Sequence, residues 1–284
     1  MTLSYENPDM RARADHGRHD WWRYLVTLVW SFFIQIVLAV VVFIAVILGG
    51  VPAATLIAAS RSPAQPLWFF TIVGVSFAGW LIGVWSGAWI FNRKPARDFL
   101  AGWRWPLFFT GLLIWVAVTL GDAGLDYALK PSGFILKASL TPAVVLSIAV
   151  QTFTEEFVFR GYATQGLLHL VKRPVPAAIL SGLLFGLCHI PNGWMQAVNA
   201  AVLGVALALI AIKTGSLAFG YGLHLVNNLF GALIVVSADD VFKGAPGLFV
   251  QSTPSLDLLD LAVSVIALAI LTVVFGRSNM RRDA

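Results

Sequence analysis

Residues 142–160 read "PAVVLSIAVQTFTEEFVFR", an apolar run that ends in two adjacent glutamates and an arginine. The run is one of many. Of 284 residues, 58% are hydrophobic, only 12% are charged and 11 are tryptophan. A soluble domain carries about 25% charge and breaks its apolar runs well short of the ~20 residues that cross ~30 Å of hydrocarbon. The solvent of this chain is therefore lipid, and Glu155, Glu156 and Arg160 stand where lipid should exclude them.

Eight spans are expected, over residues 24–48, 67–91, 105–122, 142–166, 174–190, 193–212, 216–236 and 257–276. The third and fifth are short for a straight crossing, and the fourth could run on to Lys172. The basic residues sort onto two sides: fourteen from Arg11 to Arg282 fall on one, against Arg61, Lys130, Lys137 and Lys243 on the other. Cytoplasmic loops carry the Lys and Arg excess, so both termini are expected in the cytoplasm. The first span lacks a small-residue cleavage site and reads as a retained span, not a cleaved signal peptide. The fold class is all-α, a polytopic membrane helical bundle of about eight transmembrane helices. Its parts are a polar tail (1–23), one helical domain (24–276) with the site at 142–236, and a short basic tail (277–284). The protein is expected to be integral and multi-pass in the cell (inner or plasma) membrane, with lipid and a membrane-associated polypeptide as partners and no nucleic acid. No disulfide framework can form, because Cys188 is the only cysteine.

Of 14 acidic residues only Glu155 and Glu156 lie well inside a span, joined by Arg160 and by two of the five histidines, His189 and His224. Each charged group at mid-membrane costs roughly 2.5–3.5 kcal/mol, so such groups need partners or a purpose. Glu156 and Arg160, four apart, can pair along one helix face, while Glu155 is turned about 100° away. That pair reads as structural support. Gly182, Phe185, Gly186 and His189 share one face of span five, and Gly220, His224, Asn227 and Gly231 share a stripe of span seven, with Asn228 one turn beyond His224. Spacing at Gly79, Gly83 and Gly87 reads as close helix packing.

A carboxylate beside an imidazole can deprotonate water where no serine or cysteine nucleophile is in place, a role that suits Glu155 with His189. His224 and Asn228 can donate hydrogen bonds to the oxyanion formed when water attacks a carbonyl. No cofactor is favoured; a zinc alternative would use Glu155, His189 and His224, although no helical HExxH occurs. Cys188 is a poor nucleophile candidate, because adjacent helix residues point apart. Two other classes stay open: a proton- or ion-coupled transporter, which would show matched repeats with broken helices, and a non-catalytic scaffold or immunity-type protein.

Three motifs carry a family resemblance. "EEFVFR" at Glu155 to Arg160 resembles the EExxxR motif of the CPBP (Abi-type) intramembrane proteases, a group that includes the type II CAAX prenyl endopeptidases. "FGLCH" from Phe185 to His189 is similar to their FxxxH motif, and "HLVNN" from His224 to Asn228 to their HxxxN motif, preceded by "TGSL". The resemblance implies a bundle of about eight helices enclosing an intramembrane endopeptidase site. Glu155 and His189 would activate water there, His224 and Asn228 would bind the oxyanion, and Glu156, Arg160 and Phe185 would support the site. Its substrates would be membrane-associated proteins or peptides, prenylated CAAX proteins among them.

Overall fold

A computed structural model describes residues 6–100, 102–129, 134–136, 142–237, 241–245, 247–251 and 258–277. The basic tail beyond residue 277, with Arg281 and Arg282, and the basic residues Lys130 and Lys137 lie outside the described residues.

Among the described residues, six helices are long and apolar enough to cross a membrane. They are α2 (Trp21–Leu48), α4 (Pro66–Ile90), α6 (Trp105–Leu129), the continuous helix Pro142–Val171, α10 (Trp194–Thr214) and α12 (Leu258–Arg277). Two shorter apolar helices complete the bundle: α9 (Pro174–Cys188), and α11 (Ala218–Leu229) extended by a π-helical segment, Phe230–Ile234. The chain is an integral, multi-pass membrane protein. Its outer surface shows why: Val29, Phe33, Ile36, Val40 and Ile44 of α2 all face outward, as a lipid solvent allows.

The lipid-facing helices hold together through small and polar residues, since burial against lipid supplies no hydrophobic drive. A Cβ on Gly83 would lie 2.5 Å from Cα of Ser31, so α4 and α2 touch backbone to backbone there. Gln35 Nε2 donates to Ser76 Oγ at 2.6 Å and Trp30 Nε1 to Ser86 Oγ at 2.9 Å, hydrogen bonds that fix the same pair. The α9–α10 contact is built alike, because a Cβ on Gly204 would lie 2.7 Å from Cα of Gly182.

The two ends of the bundle differ in chemistry. At one end the tail folds back: α1 (Pro8–Asp15), capped by the Asn7 side chain, docks on the ends of α8 (Thr164–Val171) and α10. Arg11 donates to the Leu168 carbonyl at 2.8 Å, Arg13 to Gly215 at 2.7 Å and Arg104 to Thr214 at 2.7 Å. Cationic groups thus meet carbonyls at two helix C-termini, where the macrodipole favours them. The helical turn α5 (Arg97–Leu100) lies nearby. Asp98 of that turn bonds His16, while Lys94, 3% exposed, donates from Nζ to the Arg13 carbonyl at 2.6 Å. Burial pushes the Lys94 ammonium down to about 8, partly countered by Asp98 and Asp15.

At the other end sit a short helix, α3 (Ala53–Ala59), and a small sheet that the all-helical expectation omitted. Its order is β1-β3-β2 (Phe134–Leu136, Phe249–Gln251, Val235–Ser237), antiparallel between β1 and β3 and parallel between β2 and β3. Gln251 donates to Asp126 Oδ2 at 2.5 Å and ties the sheet to α6. The third span accordingly runs to Leu129, past the expected end at 122, with Asp126 9% exposed under the sheet.

Candidate active site

The helix Pro142–Val171 changes pitch at the motif. α7 (Pro142–Glu155) gives way to a π-helical segment, Glu156–Ala163, before α8 resumes. The Thr164 N–H donates to the Phe159 carbonyl, five residues back. Hydroxyls of Thr164 and Ser181 reach the same oxygen at 2.7 and 3.0 Å. The wider turn is thus fixed by polar partners from its own helix and from α9, and π segments of this kind occur frequently at functional sites.

Within this segment Glu156 and Arg160 are both 0% exposed. Arg160 Nη1 lies 3.1 Å from Glu156 Oε1, and the guanidinium sits 4.3 Å from the centre of the Phe185 ring. Phe185, itself 1% exposed, also meets the His224 ring edge-on with centroids 5.6 Å apart. The phenylalanine therefore forms a wall that both desolvates the ion pair and orients the imidazole.

His224 lies between the two glutamates. Its Nδ1 is 2.8 Å from Glu156 Oε1 and its Nε2 is 3.4 Å from Glu155 Oε2. Glu155, 5% exposed, accepts at Oε1 from Gln151 Nε2 at 3.3 Å, while its Oε2 has no hydrogen-bond donor among the described residues. The sequence reading gave Glu155 no partner on its own helix. Gln151, one turn earlier and at the same four-residue spacing that revealed Glu156 and Arg160, is that partner.

His189 caps the C-terminus of α9, where Nδ1 lies 2.8 Å from the Phe185 carbonyl. The structure brings Glu155 to His224, and His189 lines the cavity that His224 also lines. That cavity, about 120 Å3, is lined by Gln151, His189, His224 and Asn228 together with Asn192, Gln196, Asn199 and Asn227. Asn228 Nδ2 reaches Thr152 Oγ1 at 3.5 Å, and its Oδ1 accepts from Asn227 at 3.1 Å. Asn227 in turn accepts from the Trp115 indole at 3.1 Å. The asparagine row is thereby oriented by α6, a support invisible in the motif itself.

Both ring nitrogens of His224 already face carboxylates, and among the described residues no group of three His, Cys, Asp or Glu side chains converges closely enough to hold an ion. What the arrangement offers is a desolvated carboxylate with one unsatisfied oxygen, an anchored imidazole and carboxamide donors around a polar cavity.

Fold and site together define a class: a polytopic membrane protein with acid-base residues enclosed by its helices. Residues 137–230, the segment that carries the site, match the model of the family described as type II CAAX prenyl endopeptidase Rce1-like. The uncharacterized protein YyaK of Bacillus subtilis (strain 168) is 27% identical over 185 residues, 59% of this chain and 61% of that protein. No solved structure matches the chain.

Proposed function

We propose that the protein is an intramembrane endopeptidase that hydrolyses a peptide bond of a membrane-associated polypeptide. The supporting observation is the unsatisfied Glu155 Oε2, buried 3.4 Å from Nε2 of His224, which itself lines the polar cavity. In this reading a water in the cavity gives a proton to Glu155 as its oxygen attacks the scissile carbonyl. The proton then passes to the leaving amine, so that the carboxylate is regenerated. His224 Nε2 and Asn228 Nδ2 hydrogen-bond the oxyanion, each worth about 3 kcal/mol by the precedent of oxyanion-hole donors. Glu156 and Arg160 hold His224 through Nδ1, and Gln151 holds Glu155. His189 lines the same cavity as His224 and Asn228 and would act on the bound substrate or its water. No step is routed through a metal.

The membrane topology that goes with this reading has eight crossings and cytoplasmic termini. α9, at about 22 Å, is shorter than the hydrocarbon layer. It crosses only if the bilayer thins or the α9–α10 turn stays below the surface, and the polar cavity beneath that turn suits the second solution.

The test is cleavage of membrane-anchored candidate substrates by purified protein. Wild type should cleave and Glu155→Gln should not, with chelator leaving the rate unchanged. Equal cleavage by both proteins would refute the assignment, and a chelator effect reversed by zinc would refute metal independence.

A further inference from the structure

The cavity has a direction. Eleven of the described Arg and Lys residues outside the spans' interior gather at the end where α1 docks: Arg11, Arg13, Arg18, Arg23, Arg93, Lys94, Arg97, Arg104, Lys172, Arg173 and Lys213. Hydrogen bonds stitch that end into one surface, from Arg18 N to the Asn92 carbonyl at 2.7 Å and from Asn7 N to the Ile212 carbonyl at 3.0 Å. The opposite end is equally continuous. Phe70 stacks on Phe242 with centroids 6.1 Å apart, and Gly244 approaches Ala64 beside the small sheet. Only Arg61 and Lys243 represent the basic residues there among the described residues. By the positive-inside bias this second end faces away from the cytoplasm.

The cavity reaches that second end. Asn192 and Gln196, in the α9–α10 turn and the first turn of α10, line it, as do Val241 and Phe242 beyond α11. A neighbouring cavity of about 140 Å3 shares Gln196, Asn199 and Asn227 with it and extends to Asp126 and Gln251 under the sheet. Toward the basic end the way is packed shut by Phe99, Phe157, Phe159 and Leu207, each at most 6% exposed. A polar, hydratable passage therefore leads from His224, the partner of Glu155, toward that second end.

We infer that the reaction chamber opens on the exoplasmic face of the membrane, opposite the basic loops, and that its substrates are membrane-anchored polypeptides whose scissile bond lies on that side. A cytosolic prenylated tail would meet the sealed end. The inference rests on the endopeptidase reading for its substrate class, whereas the direction of opening stands on packing and charge alone.

The experiment uses the full chain in a Cys188→Ala background with single reporters: Asn192→Cys at the cavity mouth, Ala64→Cys at the same end and Lys172→Cys at the basic end. Intact cells and inside-out vesicles are treated with a membrane-impermeant maleimide. Asn192→Cys and Ala64→Cys should label in intact cells and Lys172→Cys in inside-out vesicles. Labelling of Ala64→Cys only in inside-out vesicles would overturn the orientation. Labelling of Asn192→Cys together with Lys172→Cys, and not with Ala64→Cys, would overturn the direction of opening. Cleavage in detergent, where sidedness is lost, separates the two readings. Reversed labelling with Glu155-dependent cleavage intact overturns this inference alone, while the expected labelling without such cleavage overturns the endopeptidase reading and the substrate class with it. In proteoliposomes, cleavage confined to substrates whose scissile bond faces the cytoplasmic side would also overturn the substrate class.

Discussion

Nδ1 of His224 lies 2.8 Å from Oε1 of Glu156, the same oxygen that Arg160 Nη1 approaches at 3.1 Å. One carboxylate oxygen thus joins α11 to the π segment and anchors the imidazole that faces Glu155. Glu156 is the hub of the site although it offers no oxygen to the cavity: Oε2 is turned toward Gly220 of α11.

Removing that hub should cost stability as well as activity. Glu156→Ala leaves the fully buried Arg160 uncompensated, and breaking a buried pair in this way costs about 3–5 kcal/mol. Thermal unfolding in detergent should show a marked loss for Glu156→Ala, much of it recovered by the double variant Glu156→Gln/Arg160→Met. Failure of the double variant to recover would show that the charge itself is not the source of the loss.

Gly220 makes room for the hub. A Cβ there would lie 2.7 Å from Glu156 Oε2, an atom whose side chain is fixed by two partners. Gly220→Ala should shift the carboxylate, loosen His224 and lower kcat by roughly 10-fold or more, as a misplacement of about 1 Å can. An unchanged kcat would mean that the helix absorbs the methyl by moving as a body.

Gln151 should act through Glu155. Gln151→Leu removes the donor that holds Oε1 and should lower kcat with little change in KM, as a misplaced catalytic group does. Gln151→Asn shortens the same donor out of reach and should lower kcat alike. A kcat equal to wild type in both variants would remove Gln151 from the site.

Much of the site was legible before the structure because lipid makes polar residues conspicuous. Glu155, Glu156, Arg160, His189, His224 and Asn228 each interrupt an apolar run. The pairings between helices were not legible: spacing within one helix cannot say that His224 meets Glu155. Gln151 was overlooked because an uncharged amide within a span raises less alarm than a charge. The π segment has no sequence signal of its own, being set by the Thr164 and Ser181 hydroxyls that meet at the Phe159 carbonyl. The sheet was missed because its strands are three residues each and lean on one another across the chain. The docked α1 was read as a tail because it is polar, and what holds it are carbonyls at the ends of other helices.

The docked tail also carries a pH dependence. The buried Lys94 titrates near 8 in the folded protein against 10.5 when free, so between those values the unfolded chain binds the extra proton. Stability should therefore rise with pH across that window, by on the order of 3 kcal/mol in total and at most about 1.4 kcal/mol per pH unit. The comparison is with Lys94→Met: unfolding in detergent from pH 7.5 to 10.5 should show wild type gaining on the variant. Parallel curves would mean that Lys94 is as well solvated when folded as when unfolded.

The π segment between Glu156 and Ala163 has a consequence for the chain as an object of engineering. Because the widened turn accommodates a residue that an α-helix would not, the half of the helix bearing Glu155 and the half docked under α1 are phased by that surplus position. Deleting a single residue between Phe157 and Ala163 would let ordinary pitch resume with the two halves still in phase, whereas a return to α pitch with every residue kept would swing one half about 100° relative to the other. The glutamates would then face lipid or α1 would lose its berth. In this stretch the length of the chain, as much as its side chains, specifies the chemistry.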